Sequence, residues 1–170
     1  TILGPEMRST GEVMGIGQSF SEAFVKSQLA AGALLPTSGK VFMSVRDQGK
    51  DKIVDLAREL SANGFELIAK HGTARALSEH GLQVHRVNKV AEGRPHVVDM
   101  IKNGEIAMII NTVDDSKVSI KDSYSLRRTA LQGRVTYFTT IAGARAASHG
   151  ISQMTDLHVR SLQSAHSMFG

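Results

Sequence analysis

The chain has 170 residues, which is enough for one sizeable domain with a short additional segment. Hydrophobic residues make up 41% and charged residues 21%, a composition that excludes intrinsic disorder. Its 20 basic and 16 acidic residues give a net charge of +4, which suits an anionic ligand but is small for a nucleic-acid-binding protein.

The amino-terminal part of the chain contains the glycine-rich stretch STGEVMGIG, residues 9–17. This stretch matches neither GxGxxG nor GxxxxGK followed by Ser or Thr, and no apolar strand precedes it. It therefore predicts a turn rather than a phosphate-binding loop. Ser19 and Glu22 form a candidate capping box at the start of a helix predicted over 19–30. Residues 31–40 are predicted to form a linker.

From residue 40 onward, short apolar runs alternate with helical patterns. The strand candidates are residues 41–45, 65–69, 84–87, 106–110 and 135–138. The helix candidates cover residues 50–63, residues 73–80, a segment between Pro95 and Gly104, and a segment ending before Gly133. This alternation predicts a doubly wound, Rossmann-like α/β domain with five mainly parallel strands and helices on both faces. A loose apolar stripe beyond it is expected to cover the sheet: Met154, Leu157, Leu162, Ala165 and Phe169.

Basic residues follow the first three strand candidates, where an open parallel sheet binds its ligands. These loops carry Arg46 and Lys50, then Lys70, His71, Gly72 and Thr73, then Lys89 and Arg94. Several lie near helix N-termini, where the helix dipole disfavours a cation, so an anion should compensate them. After the fourth strand, Asn111 and Thr112 are neutral groups that suit a ribose or a base. The set predicts a site for a nucleotide or a sugar phosphate.

The other polar residues give little support for catalysis or metal binding. The seven histidines show no HxH or HExxH spacing and the chain has no cysteine, so we predict no metal site. Asp114 and Asp115 are adjacent in a loop and are expected to be solvated, and we assign no catalytic residue. Because no run of about 18 apolar residues and no signal peptide is present, we expect a cytoplasmic protein that binds neither membrane nor nucleic acid.

Five stretches of the sequence carry a specific resemblance. They are LGPEMRSTGEVMG (3–15), SVRDQGKDKIVDLA (44–57), GFELIAKHGTA (64–74), VNKVAEGRPHVVDMIKNGE (87–105) and IINT (109–112). Together they resemble the carboxyl-terminal end of the large chain of glutamine-dependent carbamoyl phosphate synthetases. The resemblance implies an allosteric domain with the methylglyoxal-synthase-like fold over residues 41–170. It also implies that residues 1–30 hold the tail of the preceding ATP-grasp unit plus a helix, followed by the linker at 31–40.

The resemblance further implies a site for nucleotide effectors, with UMP as inhibitor and, in many bacterial members, IMP at an overlapping site. The family's contacts fall on Ser44, Lys50, Gly72, Thr73, Lys89, Asn111 and Thr112, and Lys70 stands where many bacterial members have Thr. In the family, ornithine activates near the boundary with the neighbouring domain. Tyr137 and Thr139 are the candidates for such a second effector, with Phe138 standing where ornithine-responsive members have Asp.

The parent enzyme implied by the resemblance is an ATP-dependent ligase that makes carbamoyl phosphate from glutamine, bicarbonate and two ATP for the pyrimidine and arginine pathways. Its cofactors would be ATP with Mg or Mn, and K, none of them in this segment. Its partners would be the rest of the large chain, a small glutaminase subunit and oligomer contacts.

Two alternatives remain open beside the effector-binding module. One is a catalytic member of the same fold, either methylglyoxal synthase or IMP cyclohydrolase. Methylglyoxal synthase needs an aspartate in a glycine-rich stretch after the fourth strand, and no GGD pattern follows Asn111. The other alternative is a structural module for oligomer contacts, which predicts no ligand. The sequence also leaves open which effector binds, the sign of its action and the oligomeric state.

Overall fold

The computed structural model describes residues 13–46, 49–88, 96–112, 117–154 and 161–169. The elements in these ranges are α1 (Phe20–Ala30), β1 (Gly39–Ser44), α2 (Lys50–Ala62), β2 (Phe65–Lys70), α3 (His71–Glu79), β3 (His85–Val87), α4 (Val97–Lys102), β4 (Ile106–Asn111), α5 (Lys117–Gln132), β5 (Thr136–Phe138), α6 (Ile141–Ser152) and α7 (Leu162–Phe169). None of the helices in the described ranges is long and apolar enough to span a bilayer.

The five strands form one sheet in the order β3-β2-β1-β4-β5, and every neighbouring pair is parallel. The predicted doubly wound α/β fold is therefore confirmed, and the sheet is fully parallel over its described strands. Helices α2 and α3 pack on one face of the sheet, whereas α4 and α5 pack on the other. Because the chain leaves β1 and β4 toward opposite faces, a crevice opens at the carboxyl ends of these two central strands.

Strand β1 shows how the sheet divides the hydrophobic core. Val41 and Met43 face the cluster that includes α1, α2, α3 and α6, while Phe42 faces the cluster beneath α4 and α5. This alternation follows from the pleat, which points successive side chains to opposite faces. All three side chains are fully buried. A parallel strand that is covered on both faces needs apolar side chains on both, which explains the continuous apolar run.

Helix α2 is held against the sheet by one apolar face. That face is formed by residues at the i, i+3, i+4 and i+7 spacing: Ile53, Leu56, Ala57 and Leu60. The chain turns at Gly64, whose φ of 85° is a left-handed conformation that glycine adopts without strain. The helix predicted over 50–63 is confirmed, and it begins at Lys50, beside the carboxyl end of β1.

Helix α1 is capped and packed on the α/β domain. The Glu22 N–H donates to Ser19 Oγ at 3.1 Å, as predicted, but the Glu22 carboxylate accepts from the Gln18 N–H at 2.8 Å rather than from Ser19. Val25 is fully buried in the core. It lies so close to Gly150 of α6 that a Cβ on this glycine would overlap the Val25 side chain. The α1–α6 contact therefore depends on a residue without a side chain.

The glycine-rich stretch packs on α1 where the structure describes it. Residues 13–17 form neither helix nor strand, whereas residues 1–12 lie outside the described ranges. A Cβ on Gly15 would overlap the carbonyl oxygen of Ala23, and a Cβ on Gly17 would lie 2.6 Å from the Ala23 nitrogen. Backbone contact this close leaves room for glycine only, so these two glycines serve packing.

The structure departs from the sequence-based expectations at several element boundaries. Strand β1 begins at Gly39, so the linker predicted over 31–40 ends two residues earlier. Helix α3 begins at His71 rather than at residue 73, because Lys70 already has the extended conformation of an N-cap. Of the predicted carboxyl-terminal stripe, Met154 packs against the core and Leu157 lies outside the described residues.

Helix α6 was not anticipated. Thr140 caps it by accepting the Gly143 N–H at 3.1 Å, and its buried face carries Ala144, Ala147 and Ile151. This sequence is rich in alanine and glycine, so few large apolar side chains mark its buried face in the sequence.

Candidate functional site

The loop between β1 and α2 is held from both sides by threonine hydroxyls. The Val45 N–H donates to Thr73 Oγ1 at 3.1 Å, and the Arg46 N–H donates to Thr112 Oγ1 at 3.1 Å. The Thr112 N–H in turn donates to the Ser44 carbonyl at 2.9 Å. These bonds join the carboxyl end of β1 to the residues that follow β2 and β4, at the crevice that the topology opens.

Thr73 and Thr112 differ in burial but have the same hydrogen-bonding role. Thr73 is only 2% exposed, whereas Thr112 is half-buried. Each hydroxyl oxygen accepts one backbone N–H, and a hydroxyl has one proton of its own to donate. Both residues can therefore donate a hydrogen bond to an anion while they hold the loop.

The amino end of α3 lies beside a lysine. Its N-cap, Lys70, makes no side-chain cap hydrogen bond, and the first turn contains no acidic residue. A Cβ on Gly72, in that first turn, would lie only 3.4 Å from Lys50 Nζ. The ammonium group of α2 thus packs over the backbone of α3 at a helix N-terminus, where backbone N–H groups and the dipole favour negative charge.

Beyond β4, the structure forms a neutral hydrogen-bonding network. The Asn111 side chain is 4% exposed. Its Nδ2 donates to Ser123 Oγ at 3.0 Å and to the Tyr137 hydroxyl at 2.7 Å. The guanidinium carbon of Arg127 lies 5.6 Å from the centroid of the Tyr137 ring, within the range of a cation–π contact.

A cleft of about 910 Å³ opens on the other side of the β1–α2 loop, between α2 and α6. Its lining includes Arg46 and Thr112, with Asp51, Lys52 and Asp55 contributed by α2. Arg145 of α6 donates to the Lys52 carbonyl at 3.2 Å. Basic side chains at Arg46, Lys52 and Arg145 accompany the two carboxylates, so the cleft carries charges of both signs. Within the described ranges, no three His, Asp or Glu side chains are grouped to hold a metal ion.

The structure brings most of the predicted site residues to one edge of the sheet. Ser44, Lys50, Lys70, Gly72, Thr73, Asn111 and Thr112 all lie at or directly after the carboxyl ends of β1, β2 and β4. Thr139 lies exposed after β5, and Lys89 falls outside the described residues. Of the two residues suggested for a second effector, Tyr137 is bonded to Asn111 and so adjoins the first site.

Sequence reasoning missed Ser123. It precedes the buried residues Leu126 and Ala130 of α5 at the spacing of one helix face. That spacing was the available signal, because a serine on a buried face needs a hydrogen-bond partner.

Comparison with known proteins identifies the family. Residues 52–139 match the family model of the MGS-like domain. The large chain of carbamoyl phosphate synthase from Ralstonia nicotianae is 54% identical over 165 residues, 97% of this chain and 15% of that protein. The corresponding large chain from Pasteurella multocida is 52% identical over 166 residues, 98% of this chain and 16% of that protein.

The structural comparison agrees on the fold. The crystal structure of methylglyoxal synthase from Elizabethkingia anophelis matches with a TM-score of 0.50 and 22% identity, covering 65% of this chain and 76% of that one. The chain spans about 15% of the length of the curated relatives that it matches. The resemblance found in the sequence is confirmed: the chain belongs to the family of MGS-like domains, in the form found within carbamoyl phosphate synthase large chains.

Proposed function

We propose that this chain is a regulatory domain that binds a nucleoside monophosphate such as UMP or IMP at the carboxyl ends of β1, β2 and β4. Its membership in the MGS-like family and its similarity to synthase large chains support a regulatory-domain role. The observation that carries the nucleotide assignment is the position of Lys50 Nζ over Gly72, at the amino end of α3.

This position provides the three elements of a phosphate site. Backbone N–H groups in the first turn of α3 act as donors, Lys50 supplies charge, and the hydroxyls of Thr73 and Thr112 can add hydrogen bonds. The neutral group at Asn111 lies across the crevice, where a ribose or base would extend from the phosphate. Lys89 is proposed as a further phosphate contact on the resemblance alone.

We propose that the parent protein is the ATP-dependent ligase, with its catalytic sites, its ATP with Mg or Mn, and its K outside this chain. In that assembly the domain would adjust carbamoyl phosphate synthesis in response to the nucleotide, in the cytoplasm. The remaining large chain and a small glutaminase subunit would be its partners. The structural likeness to methylglyoxal synthase concerns the fold alone, so an assay with dihydroxyacetone phosphate serves as the negative control.

The test is thermal denaturation of the chain with UMP or IMP, compared with uridine, inosine and inorganic phosphate. A ligand at about 100 times its dissociation constant adds about 2.7 kcal/mol, which for a chain of this size raises Tm by roughly 5–10 °C. We expect this shift for the nucleotides and a much smaller one for the nucleosides. Equal shifts for nucleotide and nucleoside would contradict the phosphate site, and no shift with millimolar nucleotide would contradict the proposed function.

A further inference from the structure

We propose that Tyr137 is a positioning residue that holds the Asn111 amide so that only its carbonyl oxygen is left to contact the effector. This inference rests on the proposed nucleotide site and specifies how the site recognises the nucleoside part. It gives the Tyr137 hydroxyl a role within the first site instead of a contact with a second effector.

Sheet geometry explains why the two residues meet. In the parallel pair β4–β5, Ile109 is the partner of Tyr137. Asn111 follows Ile109 by two residues and therefore points to the same face of the sheet. With strands about 4.8 Å apart and a rise of about 3.3 Å per residue, a diagonal neighbour of this kind lies about 8 Å away, within the reach of a tyrosine side chain. The 2.7 Å bond from Asn111 Nδ2 to the Tyr137 hydroxyl spans this diagonal.

The network uses every donor of the amide. A primary amide has two N–H protons, and those of Asn111 go to Tyr137 and to Ser123 of α5. What remains is the carbonyl oxygen, which is an acceptor. It can receive a ribose hydroxyl or a base N–H, but it cannot donate to the oxygens of a phosphate.

This restriction gives the site a direction. A phosphate is recognised by donors and positive charge, which are provided by Lys50 and the amino end of α3. The opposite end of the ligand must present a donor to Asn111. Arg127 stabilises the arrangement by lying over the Tyr137 ring, which limits how far the phenol can turn away.

The test compares the dissociation constants of UMP and inorganic phosphate for the wild-type chain and for Tyr137→Phe. This change removes the hydroxyl and keeps the ring under Arg127. The loss of one hydrogen bond predicts about a three- to tenfold weaker binding of UMP and no change for phosphate. Tyr124→Phe is the matched control, because Tyr124 is 71% exposed on α5. This variant should bind both ligands as the wild type does.

A second readout reports the position of the amide without any ligand. The side-chain amide resonances of Asn111 in an NMR spectrum should shift in Tyr137→Phe and stay in place in Tyr124→Phe. If Tyr137→Phe does not fold, Ser123→Ala removes the other acceptor of the Asn111 amide. It should also weaken the binding of UMP but not that of phosphate.

Three results would overturn the inference. If Tyr137→Phe binds UMP like the wild type, Tyr137 does not position Asn111, although the nucleotide site would stand. If UMP and phosphate are weakened equally, the residue acts on the whole domain. If the wild type binds no nucleotide at all, the proposed function fails first and the inference fails with it.

Discussion

The carboxyl edge of the sheet divides into two halves that differ in chemistry. The cationic half follows β1 and β2 and contains Lys50, Lys70 and the uncapped first turn of α3. The neutral half lies at the end of β4 and is named for the hydrogen bond between two uncharged side chains, Asn111 and the β5 residue Tyr137, although the Arg127 guanidinium lies over the Tyr137 ring. One half is suited to an anion and the other to neutral polar groups, so together they fit a ligand that carries both.

The two halves should also contribute differently to binding. Hydrogen bonds that involve a charged group contribute about 1.5–3 kcal/mol, and those between neutral groups contribute about 0.5–1.5 kcal/mol. The cationic half should therefore provide most of the affinity. The neutral half, with donors already committed inside the protein, should decide which group is accepted at the other end.

The largest effect is expected for Lys50→Ala. Losing the ammonium beside Gly72 should raise the dissociation constant of UMP about 10- to 100-fold and leave the weak binding of uridine unchanged. Isothermal titration calorimetry at fixed ionic strength measures both. Lys102→Ala, an exposed lysine at the end of α4, is the matched control. An equal loss of UMP and uridine binding would remove the distinction between the two halves.

The next effect concerns stability and compares the two threonines. Thr73→Val leaves the buried Val45 N–H without its acceptor, which should cost about 1–3 kcal/mol of unfolding free energy. Thr112→Val frees the Arg46 N–H in an exposed setting, where water can replace the hydroxyl, so we expect less than about 1 kcal/mol. Urea denaturation of both variants provides the comparison. Equal losses of unfolding free energy would mean that the two hydrogen bonds do not differ in strength with burial.

Gly72→Ala is expected to have a smaller effect, which raises the stability of the chain but lowers its affinity for phosphate and UMP. Alanine favours the helix, so the free energy of unfolding should rise by about 0.5 kcal/mol. The new methyl group would stand 3.4 Å from Lys50 Nζ and occupy part of the space proposed for the phosphate, so phosphate and UMP should bind about threefold more weakly. Thermal denaturation and calorimetry on the same sample test both signs. Tighter phosphate binding would contradict the position assigned to Lys50.

The smallest effect is expected for Glu79→Gln at the far end of α3. The hydrogen bond from Arg75, together with the charge of its guanidinium, holds the pKa of the exposed Glu79 carboxyl below its usual range. A lowered pKa adds stability above the ordinary carboxyl pKa, and this is lost as the pH falls through the lowered value. The variant should therefore flatten the decline of Tm between about pH 5 and pH 3. Lys50 also contributes to the lowered pKa of Glu79, so losing this carboxylate should leave UMP affinity at neutral pH unchanged or slightly higher. Weaker UMP binding would contradict the position assigned to Lys50.

Much of the fold could be predicted because it depends on local patterns. The strands are visible in the sequence as apolar runs. Helix α2 is visible as the helical spacing of its apolar residues: Ile53, Leu56, Ala57 and Leu60. The cationic half was also predictable, because the topology of a parallel sheet places every residue that follows a strand at the same edge. Helix α6 was not recognised in this way, since five of its six buried residues are Ala, Ser or Gly, which give little hydrophobic signal in a sequence.

By itself, therefore, the sequence determined the doubly wound sheet, its helices up to α5, and the gathering of Lys50, Gly72 and Thr73 at one edge. Only the tertiary structure decided that Thr73 and Thr112 tie down the loop after β1, and that Tyr137 holds Asn111. The physical reason is the range of the interactions. A helix or strand depends on neighbours a few residues away, whereas Val45 and Thr73 are 28 residues apart and Asn111 and Tyr137 are 26 apart. Such pairs are brought together by the strand order β3-β2-β1-β4-β5.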